Sequence, residues 1–254
     1  MELQNITPQP CTSGRVHSTY MGGMVDGPGI RYVLFLAGCK LRCQYCHNPD
    51  TWDANVGTIK TTDELLHDIE QYRSYLSFSG GGVTASGGEP LLQAAFLTEL
   101  FQKCREQGIH TALETSGYMT TQDWNAGAAQ AVLAQTDLVL LDIKAFDDNI
   151  HKNVTGVSNR RIHEFLRLCQ TMNKPTWIRF VLVPGLTDND DDINKMAKFL
   201  HGFSCVEKID VLPFHKAGEY KWVDLNLRYK LANTPSPSID DVARAQKKFN
   251  DTNS

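Results

Sequence analysis

The chain has 254 residues, 41% of them hydrophobic and 21% charged, with a formal net charge of -4 and a pI near 6.1. That length can bury one substantial core, and without an excess of lysine and arginine the surface as a whole is excluded as a binder of nucleic-acid phosphates. Met1–Ser18 holds no secretory apolar run and no later stretch approaches a membrane span, so a cytoplasmic protein, monomeric and away from membranes, is expected. From Arg31 onward short apolar runs alternate with amphipathic ones, the pattern of β-α units around a parallel sheet. The runs predict strands at Arg31–Ala37, Gly82–Ser86, Ile109–Glu114, Asp137–Asp142, Thr176–Val183 and Val206–Pro213. Between them the pattern predicts helices near Thr62–Leu76, Leu91–Gln107, Thr121–Gln135, Arg160–Met172 and Asp190–Leu200, with a last helix at Ile239–Phe249. Lys216–Ser238, with its prolines and polar residues, is expected to be irregular. No linker or repeat interrupts the pattern, so one domain over 1–254 is expected, its core about 14–231. Six units fall short of the eight that close a full barrel, leaving a partial barrel or an open doubly wound sheet.

Directly after the first predicted strand, Gly38-Cys39-Lys40-Leu41-Arg42-Cys43-Gln44-Tyr45-Cys46-His47-Asn48 puts three thiols within eight residues on a loop. Thiolates suit soft metals and iron–sulfur clusters, and four irons normally take four thiolates, so three leave one iron open to a ligand. Cys43-Gln44-Tyr45-Cys46-His47 also spells the string that attaches c-type haem, but that chemistry belongs to exported proteins and has no use for Cys39. A structural zinc on the three thiols and His47 has suitable ligand types, yet zinc ligands generally come in separated pairs and His47 is adjacent to Cys46. Cys11, Cys104, Cys169 and Cys205 are isolated and read as small hydrophobes.

The other notable residues fall at the carboxyl ends of successive predicted strands: Gly87-Gly88-Glu89 after the second, Glu114-Thr115 after the third, Asp142 and Lys144 after the fourth. Arg179 lies in the fifth and His215 follows the sixth. In parallel α/β architectures ligands bind at that edge, so these positions describe one pocket. Alternate strand residues share a face, so Asp142 and Lys144 can both point into the mouth or form a buried ion pair. Gly80-Gly81-Gly82 is no phosphate loop, since no Gly-Lys-Ser/Thr follows it, and reads as a flexible entry to its strand. The acidic run Asp188-Asn189-Asp190-Asp191-Asp192 imitates a calcium loop, but Ile193 and Phe199 occupy the positions that need glycine and glutamate. Favourable charge at a helix N-terminus explains it.

The spacing Cys-x3-Cys-x2-Cys with Tyr45 before the last cysteine resembles the radical S-adenosylmethionine (SAM) superfamily. Val25-Asp26-Gly27-Pro28-Gly29-Ile30-Arg31, Tyr45-Cys46-His47-Asn48, Gly80 through Pro90, Leu141-Asp142-Ile143-Lys144 and Val183-Pro184-Gly185 resemble, more narrowly, the family of activases that act on pyruvate formate-lyase. The likeness runs from about Gly14 to Leu231. It implies an α/β partial (β/α)6 barrel, open on one side, and a [4Fe–4S] cluster on Cys39, Cys43 and Cys46. SAM would contact Tyr45, Cys46, His47, Gly87, Gly88, Glu89, Asp142, Ile143, Lys144, Arg179 and His215. The implied reaction is reductive cleavage of SAM to a 5′-deoxyadenosyl radical, which takes hydrogen from a glycine of pyruvate formate-lyase under anaerobic conditions. No side chain is assigned as a general acid or base, because the cofactor carries the chemistry. The likeness further implies a flavodoxin-type electron donor, a contact between Asp26 and the protein substrate, and a monovalent cation at Glu114, Thr115 and Asp142. Relatives usually carry aspartate where Glu114 stands, and often asparagine where Ser116 stands. Two alternatives remain at this stage: a radical SAM enzyme acting on another glycyl-radical enzyme or a small molecule, and a non-catalytic zinc module.

Overall fold

The computed structural model describes residues 12–251, so Cys11 lies outside the described residues. Among the described residues eight strands form one sheet in the order β3-β1-β2-β4-β5-β6-β7-β8. They are β1 Ser13–Gly23, β2 Arg31–Leu36, β3 Thr58–Thr61, β4 Gly82–Gly87, β5 His110–Thr115, β6 Leu138–Asp142, β7 Thr176–Leu182 and β8 Val206–Pro213. From β2 to β8 every neighbour is parallel and the order follows the chain, so the six predicted strands form one single-wound array. β3 and β8 are its two edges, and the array is a partial barrel open on one side. Two strands were not predicted: β1 pairs antiparallel with both β2 and β3 and extends the array beyond its first parallel strand.

Ten helices occur among the described residues: α1 Thr62–Glu70, α2 Arg73–Ser79, α3 Ala94–Glu106, α4 Thr121–Asn125, α5 Ala128–Ala134, α6 Asp148–Thr155, α7 Arg160–Thr171, α8 Asp190–Leu200, α9 Glu219–Asp224 and α10 Ile239–Asn250. Two predicted helices are each split in two, at Gln71-Tyr72 and at Gly127, which is left-handed at φ 77°. The predicted Leu91–Gln107 begins instead with a 3-10 turn at Pro90–Gln93. α6 was not predicted, and α9 lies inside the segment expected to be irregular. Gly80 caps α2 in the left-handed conformation. A Cβ on Gly81 would run into the Ile30 carbonyl, so the triple glycine is a crowded helix-to-strand corner rather than a flexible entry.

Strand alternation separates two environments. Val83, Ala85, Leu113, Val139, Leu141, Ile178 and Phe180 join helix residues such as Leu97, Phe101, Phe165 and Met196 in one apolar layer. The opposite parity carries Thr84, Ser86, Glu114, Asp142 and Arg179 on the concave face. The polar face is lined early by Arg31, wholly buried, whose guanidinium donates to the Thr84 hydroxyl at 2.9 Å and the Val83 carbonyl at 2.5 Å. Burial lowers its pKa to about 10. The acidic run behaves as a helix start: Asn189 caps α8. Within it Asp192 turns inward, accepting from the backbone N–H groups of Phe146 and Asp147 at 3.0 and 2.6 Å. It thereby ties the chain just past Lys144 to α8.

Candidate active site

At the carboxyl edge of the parallel strands lies a cavity of about 500 Å³, within the size range of small-molecule sites. The cysteine loop forms one wall and is clamped from both sides. Gly38 and Cys39 donate to the carbonyls of Thr51 and Trp52 at 2.8 and 3.1 Å, while Arg42 and Gln44 donate to those of Thr155 and Val154, at the end of α6, at 2.7 and 3.0 Å. The Cys46 N–H turns back to the Cys43 carbonyl at 3.1 Å, and the Trp222 indole of α9 donates to the Cys46 carbonyl at 2.9 Å. The Trp52 side chain shares the cavity wall with Cys46 and draws its thiol pKa down against burial. Trp52, Trp222 and α9 are the parts of this wall that the residue pattern did not reveal.

All three thiols line the cavity. Burial pushes the Cys39 thiol up to about 12, with Glu89 adding to it, and raises Cys43 and Cys46 as well, against the pull of Lys144. Thiols held protonated this strongly become ligands only when a thiophilic metal displaces the proton. Among the described residues no three histidine, cysteine or acidic side chains converge closely enough to hold one metal ion. A single zinc would need such convergence, whereas a cluster sets each thiolate on a different iron. His47 is also engaged elsewhere: its Nε2 meets the His215 carbonyl at 3.1 Å, and the two imidazoles lie 4.3 Å apart. The donor set is therefore three sulfurs without a fourth ligand, which fits an iron–sulfur cluster with one open iron.

Asp142 and Lys144 both face the cavity and also pair, Oδ2 to Nζ at 3.0 Å, so the two readings of that spacing hold together. Burial works against the charge on Lys144, but Asp142, Tyr45 and Cys43 together outweigh it and its pKa rises. Its ammonium lies 5.6 Å from the centre of the Tyr45 ring. The Tyr45 hydroxyl is buried and has no hydrogen-bond partner, an opening for a ligand in a residue that lines the cavity. Arg179 reaches the Glu114 carboxylate with one Nη and the Val25 carbonyl with the other. Of the trio expected to hold a cation, Glu114 thus already has a guanidinium partner, while Thr115 and Asp142 line the cavity beside it. Asp26 lines the cavity too, and burial raises its pKa against the pull of Arg179 and Arg31.

Tyr45, Cys46, His47, Gly87, Gly88, Asp142, Lys144, Arg179 and His215 all border the cavity. Glu89 and Ile143 do not. Ile143 points into the apolar layer. Glu89 is wholly buried and accepts four hydrogen bonds: from Thr115 Oγ1 at 2.5 Å, Ser116 Oγ at 2.5 Å, Ser116 N at 2.9 Å and Leu91 N at 3.2 Å. Its role in the structure is to join the end of β4 to the end of β5. A Cβ on Gly87 would strike the backbone of Leu36, and one on Gly88 the Gly38 carbonyl. The chain's own backbone, as well as any ligand, therefore demands glycine there.

A three-sulfur loop at the carboxyl edge of an open, single-wound α/β array defines the class: a radical SAM enzyme. Residues 33–200 match the profile of the Radical SAM superfamily. The chain is 44% identical over 233 residues to the pyruvate formate-lyase 1-activating enzyme of Escherichia coli K12, covering 92% of this chain and 94% of that one. It is 48% identical over 234 residues to the pyruvate formate-lyase-activating enzyme of Clostridium pasteurianum, covering 92% and 96%. Among solved structures, a domain of a pyruvate-formate lyase-activating enzyme from Bacteroides vulgatus superposes with a TM-score of 0.55 at 27% identity, covering 68% of this chain and 94% of that one. The chain belongs to the radical SAM superfamily and, within it, to the family of pyruvate formate-lyase-activating enzymes. Its cofactors are accordingly a [4Fe–4S] cluster and SAM. No helix among the described residues is long and apolar enough to cross a membrane.

Proposed function

We propose that this chain activates pyruvate formate-lyase, as the names of its relatives say of those proteins, and that it does so by installing a glycyl radical on it. When bound, the cluster and SAM supply a single electron and a carbon-centred hydrogen abstractor. Cys39, Cys43 and Cys46 hold the cluster. The Asp142 carboxylate and the Lys144 ammonium are set to bind the polar ends of SAM, and the His47 and His215 rings, 4.3 Å apart and tilted by 38°, offer an aromatic wall for its flat base. Arg179 holds Glu114 and the Val25 carbonyl, which fixes the loop carrying Asp26 over the mouth, where the protein substrate enters. Burial of this wall keeps water from the reacting atoms. Glu89 acts at one remove, by holding Thr115 and Ser116 in place.

The observation that carries this reading is the set of three thiols without a fourth ligand, sharing one cavity with the Asp142–Lys144 pair. We further assign the chain to one domain and to the cytoplasm, with a flavodoxin-type protein as electron donor. The test is anaerobic reconstitution with iron and sulfide, then electron paramagnetic resonance after adding reductant, SAM and pyruvate formate-lyase. A glycyl radical on the partner is expected. Cys43→Ala is expected to keep its far-ultraviolet circular dichroism and to lose the stable cluster and the radical. SAM cleavage at the parental rate in that variant would remove Cys43 from the ligand set.

A further inference from the structure

Cys39 borders two cavities. Its inner side faces the active site, and its outer side lines a shallow groove of about 480 Å³ floored by Pro49, Trp52, Ala54, Leu92, Leu225 and Leu227. Cys39 and Trp52 line both cavities and so stand between the groove and the place of the cluster. Around it the surface is unusually apolar for an exposed segment: Tyr220 and Val223 of α9 are 61% and 66% exposed, and Leu225 and Leu227 are 43% and 38%. Lys40 and Arg42 line the groove, and Arg228 and Lys230 continue the same exposed stretch. None of the four enters an ion pair among the described residues. Acidic residues accompany this surface at Asp53 in the lining and at Glu219 and Asp224, the two ends of α9. A cationic rim of this kind is unexpected on a chain of net charge -4.

The reaction proposed above needs an electron from a second protein, and the inner mouth is already claimed by SAM and a polypeptide segment. We propose that the outer groove, on the far side of Cys39, is the docking surface for an acidic one-electron donor protein. Its apolar floor supplies the contact area, and Lys40, Arg42, Arg228 and Lys230 steer and orient an acidic face. The transfer is one electron from the donor's reduced flavin to the cluster core, which passes from 2+ to 1+, with no bond made or broken. Arg42 also donates to the Cys39 and Leu41 carbonyls at 2.8 Å each, and so joins the rim to the loop it serves. This inference rests on the proposed function for its need of a donor.

The test uses the reconstituted holoenzyme and a flavodoxin, an acidic flavin mononucleotide protein, as the probe. Binding is measured by calorimetry at 50 and 200 mM salt, and cluster reduction is followed by the loss of visible absorbance after mixing with the reduced probe. The double variant Lys40→Glu/Arg228→Glu is expected to bind at least tenfold more weakly at 50 mM salt and to be reduced correspondingly more slowly. SAM cleavage driven by dithionite is expected to stay within twofold of the parent. Leu227→Asp, distant in sequence from the cysteine loop, is expected to weaken binding in the same way, and it decides alone if the double variant loses its cluster. Parental affinity in both variants would overturn the proposal. So would variants that bind the probe normally but bind pyruvate formate-lyase less well, since the groove would then belong to the substrate. A parent that cleaves SAM with dithionite yet leaves no radical on pyruvate formate-lyase would instead sink the proposed function, with the binding measurement unaffected.

Discussion

The resemblance puts Glu89 among the SAM contacts as part of Gly87-Gly88-Glu89, and its carboxylate is engaged inside the protein. Four donors converge on its carboxylate, so it needs no ligand to justify its burial. Replacing it by glutamine turns one acceptor into a donor facing the Ser116 or Thr115 group. Glu89→Gln is expected to cost about 1–3 kcal/mol, the penalty for one unsatisfied buried donor, read as a lower urea midpoint at unchanged slope. An unchanged midpoint would mean that the β4–β5 joint does not depend on this clasp. The residues that were legible, the cysteines, Gly87, Gly88, Asp142, Lys144, Arg179 and His215, share one property: their place along a strand or just after it fixes which edge they occupy. The Arg179–Glu114 pair was hidden because its members are 65 residues apart, and strand periodicity reports a side chain's face but never its partner. Trp222 was hidden for a similar reason, being 176 residues from the carbonyl it holds.

β2, β4, β5, β6 and β7 were readable because most of their residues are buried, which leaves short runs poor in charge, whereas the edge strand β8, with Glu207 and Lys208 exposed, was marked by Ile209, Val211 and Leu212. β1 and β3 lie at the antiparallel margin, where Ser18, Thr19 and Tyr20 of β1 and Thr58 and Ile59 of β3 are exposed, and no apolar run marks them. The split between α4 and α5 carried a signal, Gly127, whereas that between α1 and α2 falls at Gln71-Tyr72 without a helix breaker. These first elements are held together by charge. Glu99 of α3 accepts from the Thr12 N–H at 3.0 Å and the Thr62 hydroxyl at 2.6 Å, and pairs with Lys103 Nζ at 2.8 Å. Burial alone would raise its carboxyl, but Lys103, Thr12 and Thr62 together hold it well below the usual glutamate range. A depressed carboxyl stabilises the folded state above the unfolded pKa, about 4.3, and the stabilisation fades as pH falls below it. Glu99→Gln is therefore expected to cost about 1–2 kcal/mol at pH 7, with the gap to the parent closing as urea denaturation is repeated at successively lower pH from 5 to 3. A constant gap would place the loss in packing rather than in charge.

At the scale of the whole molecule, the cavity is a joint product of the array. Its wall draws on the ends of β4, β5, β6, β7 and β8, on the loop after β2, and on the β1–β2 turn that carries Val25 and Asp26. An open array has two free edges and no hydrogen bonds to close it, so a ligand that spans the mouth adds the cross-links that the sheet lacks. SAM binding should therefore register as global stability and as more than local order. By mass action, SAM at 100 times its dissociation constant adds about 2.7 kcal/mol, which for a chain of this size is a rise of roughly 5–10 °C in the melting temperature. The reconstituted chain is expected to show that rise by anaerobic differential scanning fluorimetry. The double variant Asp142→Asn/Lys144→Met, which keeps side-chain volume but removes both charges that face the cavity, is expected to melt at a temperature insensitive to SAM. Equal shifts in parent and variant would place the SAM site away from the Asp142–Lys144 pair, and with it the centre of the proposed chemistry.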